Sequence, residues 1–179
     1  MTPARIDRPP QGDERSTLLA FLDHYRETLA TKTVGVTDEE ARRPLPPSDL
    51  SLMGLVRHMA EVERNWFRRI VAGGDPASDA NAGPIFYGDA HPDGDPDGDL
   101  HPGPDDTLAD ALSIWRHEIT AANTILDGRA PDDLAATEAR SAGGRPNLRW
   151  VLVHMIEEYA RHCGHADLLR EAIDGSTGD

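Results

Sequence analysis

Apolar residues return every third or fourth position in four long stretches of this chain, with polar residues between them. Leu18, Leu19, Phe21, Leu22, Tyr25 and Leu29 form the first stripe. Its period predicts an amphipathic helix over residues 13–33, ended by Gly35. Thr37, followed by Asp38, Glu39 and Glu40, reads as a capped start to a short helical turn that Pro44 stops. Ser48 or Ser51 then caps a second long helix, whose stripe is Leu52, Leu55, Val56, Met59, Val62, Trp66 and Ile70 and whose end is Gly73–Gly74. A third helix, over 106–127, takes its cap from Asp105 or Asp106 and turns Leu108, Leu112, Ile114, Trp115, Ile119, Ala122 and Ile125 inward. Gly128 closes it. The fourth runs over 147–173, behind Pro146 and before Gly175, with Leu148, Leu152, Met155 and Tyr159 on its apolar face. No stretch holds the period of two that a strand requires. Four long helices and one short one predict an all-α four-helix bundle, a single domain over 13–175 behind a flexible N-terminal arm over 1–12.

Residues 74–104 differ in kind. Gly, Pro and Asp dominate and no apolar face survives, which predicts a long acidic crossover loop between the second and third long helices. Asp93, Asp95, Asp97 and Asp99 alternate in the manner of a calcium loop, with Gly98 at the sixth place. The twelfth place, where such a loop needs a bidentate Glu, holds Pro104. The better reading is a solvated acidic loop, which either partly covers a neighbouring pocket or hangs in solvent.

Charge narrows the function classes. Asp and Glu number 32 against 18 Lys and Arg, a net charge of −14. Such a surface repels phosphate backbones and anionic membranes, and no basic stripe offsets it. No run of about 18 apolar residues exists to span a bilayer. The first 15 residues lack the apolar core of a secretory signal, so a cytoplasmic protein is expected. Lys32 is the only lysine; with abundant Ala, Gly, Pro and Asp, that bias suggests a high-GC, actinobacterial genome. The single cysteine, Cys163, excludes an intramolecular disulfide framework and reads as a small buried hydrophobe.

The fourth helix carries the chemistry. At about 100° per residue, His154, Glu158, His162 and His165 share one narrow sector beside the apolar stripe. Glu158 and His162 stand at i and i+4, so both can reach one ion from a single turn. His58 lies between Leu55 and Val62 on the buried face of the second helix. A lone inward histidine is usually satisfied by a backbone carbonyl. Two inward histidines and a glutamate on facing helices favour a divalent metal site over a plain polar network, because buried charge is costly unless paired or coordinated. Two imidazoles and one carboxylate suit zinc by default, with nickel, iron(II) or manganese as alternatives. Three protein ligands leave a position open for water or substrate. His165 is either a fourth ligand or a base standing behind the others. Glu61, Glu63 and Glu157 read as solvated or helix-pairing carboxylates.

LVRHMAEVERNWF in the second long helix and HMIEEYARHCGHADLLREAIDG in the fourth together resemble the DinB-like superfamily. The likeness is to its actinobacterial branch of members without an assigned reaction, and it extends from the first helix to about Gly175. The resemblance implies a four-helix bundle with a metal held by a histidine of the second helix and two side chains of the last. Many members use a His-x-x-x-His pair there. Here its first place is Glu158, as in the mycothiol-dependent maleylpyruvate isomerases. Carried over, the ligands are His58, Glu158 and His162. The likeness further implies a metal-dependent thiol S-transferase, with mycothiol as the thiol co-substrate and a small electrophile as the other partner. His165 or His154 would then assist proton transfer. It also implies pairing into homodimers, for which Phe86–Tyr87 is a candidate contact, Trp66 and Trp115 belonging to the core. The competing reading is a metal- or small-ligand-binding bundle without turnover. Hydrolysis by a bound water ranks third, since no G-x-S-x-G, P-loop or H-E-x-x-H motif occurs.

Overall fold

The computed structural model describes residues 8–91 and 93–177, so residues 1–7 of the expected arm lie outside the described residues. Five α-helices follow in order: α1 Glu14–Lys32, α2 Asp38–Arg42, α3 Leu52–Glu63, α4 Leu108–Leu126 and α5 Leu148–Asp174. No strand occurs among the described residues. The four long helices form the expected all-α bundle. α1 packs chiefly on α5 and α3 on α4, while α3 and α5 meet more lightly. Leu22, Leu29, Leu55, Met59, Phe67, Trp115, Leu152 and Met155 fill the space between them.

Capping residues set the helix starts. The Asp13 carboxylate accepts from the Ser16 N–H, and Thr37 and Glu40 form a reciprocal capping box. Ser51, and not Ser48, caps α3, and Asn147 caps α5. α4 departs from expectation, because Thr107 caps it in place of Asp105 or Asp106. Asp106 is engaged elsewhere: its carboxylate accepts from the Gly103 N–H at 2.7 Å and pairs with Arg57.

The second long helix also differs from a single regular α-helix. Its last eight residues, Arg64–Val71, are wound as a π-helix, with the Ala72 N–H reaching back to the Phe67 carbonyl at 2.9 Å. The wider winding shifts the buried face, so Phe67 and Val71 are inside while Ile70 is only half-buried. It also lets Arg64 and Arg68 both reach the buried Glu118 of α4, at 2.8 and 2.6 Å.

Two of the three acidic residues read as solvated or helix-pairing lie in the core. Glu63, 1% exposed, accepts two bonds from Arg26 of α1, both at 2.8 Å, and one from the Tyr159 hydroxyl of α5 at 2.6 Å. Trp115 of α4 donates its indole N–H to the same hydroxyl at 2.8 Å. Burial alone would lower the Arg26 pKa, but Glu63, Tyr159 and Asp23 together outweigh it and the net shift is upward. Glu61 is also buried, and its Oε1 accepts from the backbone N–H groups of Ile85 and Phe86, each at 2.6 Å. Only Glu157 of the three remains exposed, paired with Arg161.

Glu61 introduces the main surprise of the fold. The segment between α3 and α4 contains two short 3-10 turns, Ala80–Ala82 and Gly88–Ala90, and it lies against α3. Arg57 donates to the Gly98 carbonyl at 2.8 Å, pairs with Asp106, and stacks its guanidinium 4.3 Å from the centre of the Phe86 ring. Gly54 permits the approach, since a Cβ there would stand 2.5 Å from the Leu100 carbonyl oxygen. This cover explains why α3 is buried almost all round.

Candidate metal centre

α3 and α5 each bring one face to a common point. On α3, His58 follows the buried Leu55 by one turn and is half-buried. On α5, Glu158 flanks the fully buried Tyr159, and His162 lies one turn further along, 9% exposed. One ligand atom from each of His58, Glu158 and His162 falls within 4.8 Å of the other two. The two imidazole rings meet edge to face, with centroids 4.8 Å apart. Among the described residues no other group of His, Cys, Asp or Glu converges in this way. His154 and His165 therefore stand outside the cluster.

The donor set fits a divalent ion. Bonds of about 2.1 Å in a tetrahedral site set donor atoms about 3.4 Å apart. Nε2 of His162 already lies 3.5 Å from a Glu158 oxygen, and a His58 nitrogen lies within 4.8 Å of both partners' ligand atoms. Burial, with His58, His165 and Arg161 nearby, lowers the His162 pKa to about 4. Its imidazole is thus neutral at pH 7, which is the form that coordinates.

Each of the three side chains has a neighbour behind it. Nδ1 of His58 is 2.7 Å from Oδ2 of Asp99. Nδ1 of His162 is 3.4 Å from Nδ1 of His165. An oxygen of Glu158 lies 3.6 Å from Nε2 of His154. That last ring forms a three-ring cluster with two tryptophans, stacked on Trp150 at 5.1 Å and 13° and tilted against Trp66 at 4.5 Å, while the two indoles lie 5.5 Å apart. His165 also lines an apolar groove of about 190 Å³ with Leu45, Ser48, Leu50, Leu168 and Leu169. Cys163 is buried, as expected, with its sulfur 3.5 Å from the Tyr25 carbonyl oxygen.

Asp99 corrects an expectation. Read as part of a solvated acidic run, it is 7% exposed and bonded to His58. Asp95 follows the expectation more closely, holding the exposed His101 at 2.7 Å near the surface. Only the alternation of Asp93 to Asp99 marked the segment in the sequence, and nothing in it distinguished Asp99 from its neighbours.

A family model described as mycothiol-S-transferase matches residues 17–175. No curated protein sequence matches the chain.

Proposed function

This chain belongs to the mycothiol-S-transferase family, a DinB-like family, and from that premise we propose that it joins mycothiol, through its sulfur, to a small electrophile at a metal held by His58, Glu158 and His162. The observation that carries this reading is the convergence of those three ligand atoms within 4.8 Å. A divalent ion there, with zinc the first choice for two imidazoles and a carboxylate, lowers the pKa of a thiol at its open position and favours the thiolate.

The chain's own residues do the rest. His58 and His162 present imidazole nitrogens, and Glu158 supplies the negative charge that would offset the cation. His154 and His165 flank Glu158 and His162 along α5 and are the candidates for accepting the thiol proton. His165 also borders the apolar groove, where the electrophile's carbon skeleton would lie as the thiolate forms a C–S bond. The thiolate either adds across an activated double bond, which takes up the proton, or displaces a leaving group that departs with its electron pair. No cysteine of the protein takes part, which agrees with a buried Cys163.

Metal analysis by plasma mass spectrometry, on protein purified without a His-tag, tests the centre. About one equivalent is expected in the wild type and little in His162→Ala. A screen of electrophiles should then show loss that requires mycothiol and vanishes in His58→Ala. Negligible metal in the wild type, after incubation with zinc, nickel and manganese, would overturn the reading. Tight metal with no thiol-dependent loss would leave a binding module, and loss without thiol would indicate hydrolysis.

A further inference from the structure

Asp99 belongs to a segment that the expected chemistry leaves unused, 41 residues from the histidine it touches. Its place is nonetheless fixed from both sides. Gly98 accepts from Arg57 at 2.8 Å, and Leu100 runs so close to α3 that only a glycine fits at position 54. Between them the Asp99 carboxylate is 7% exposed and has its Oδ2 2.7 Å from Nδ1 of His58. A carboxylate only accepts hydrogen bonds, so the neutral His58 ring carries its proton on Nδ1. Nε2 then bears the lone pair, at the end of the ring away from Asp99.

We propose that Asp99 is a positioning residue of the metal centre, fixing the tautomer and ring orientation of His58 so that Nε2 is the coordinating atom. The inference rests on the metal reading above. A carboxylate behind a metal-bound imidazole also raises its basicity, and losing such a partner costs about 10–100-fold in metal affinity. On this account the segment between α3 and α4 is part of the centre, although it supplies no ligand.

Two measurements on the full chain test this, with Asp99→Asn and Asp99→Leu. Zinc affinity, by competition with a chelating dye, should fall about 10–100-fold in Asp99→Leu. Asp99→Asn should fall less, because its amide oxygen still accepts from Nδ1–H but carries no charge. Nitrogen-15 NMR of the metal-free protein should find the His58 proton on Nδ1 in the wild type and redistributed toward Nε2 in Asp99→Leu. A merely structural role would not move that tautomer. Thermal unfolding checks that the variants fold, and Asp99→Asn keeps both readouts if the leucine variant does not. The inference is overturned if zinc affinity in the variants stays at the wild-type value, or if wild-type His58 carries its proton on Nε2. A wild type that binds no zinc removes the metal reading and this inference together, whereas zinc binding that ignores Asp99 removes this inference alone.

Discussion

His162 shows how one side chain's surroundings set its chemistry. An exposed imidazole titrates near 6.5, but burial and the adjacent His58, His165 and Arg161 bring this one to about 4. Between those values the unfolded chain takes up a proton that the folded chain refuses. The contribution of His162 to the folding stability of the metal-free protein therefore falls as pH drops from about 6.5 toward 4, and is level above that window. Urea unfolding at a series of pH values should show this slope, and His162→Asn, which cannot titrate, should flatten it. A slope unchanged in the variant would mean that His162 is not the group refusing the proton. Asp99 shows the same dependence on surroundings from the acidic side. Among four alternating aspartates, position alone separates the one beside His58 from those at the surface.

At the level of helices, the bundle is tied by a polar chain that crosses all four long elements: Arg26 of α1, Glu63 of α3, Tyr159 of α5 and Trp115 of α4. Glu63 and Arg26 are almost fully buried, and removing one partner strands the other's charge. Glu63→Leu is expected to cost about 3–5 kcal/mol in denaturant unfolding, and the double variant Arg26→Met/Glu63→Leu to recover much of it. A double variant no better than the single one would assign the loss to packing. The pairing also explains what could be read from the sequence. Helix existence and the shared sector of Glu158 and His162 follow from a local period of 3.6, which Leu152, Met155 and Tyr159 make visible. His58 was legible because it interrupts an apolar stripe. The partners of Glu63 and Glu61 were not, since Arg26, Ile85 and Phe86 meet them through tertiary packing that no local period encodes. The π-winding of Arg64–Val71 was hidden for the same reason, because Glu118, which both arginines reach, lies on another helix.

Across the whole molecule, the acidic composition has more than one use. A net charge of −14 draws cations toward the surface, yet part of that charge is spent internally, on Glu61, Glu63, Asp99 and Glu118, all nearly enclosed. No helix among the described residues is long and apolar enough to cross a membrane. The three tryptophans are unevenly placed in this plan. Trp115 serves the polar chain of the core, while Trp66 and Trp150 cluster with His154 beside Glu158. Two of the three indole fluorophores thus sit within a side chain or two of the metal centre. An open-shell ion such as nickel should quench their emission as it binds, saturating near one equivalent, whereas closed-shell zinc should leave the intensity largely intact. His162→Ala should show no saturable quenching. The ring cluster at His154 makes the unlabelled protein its own optical gauge of occupancy.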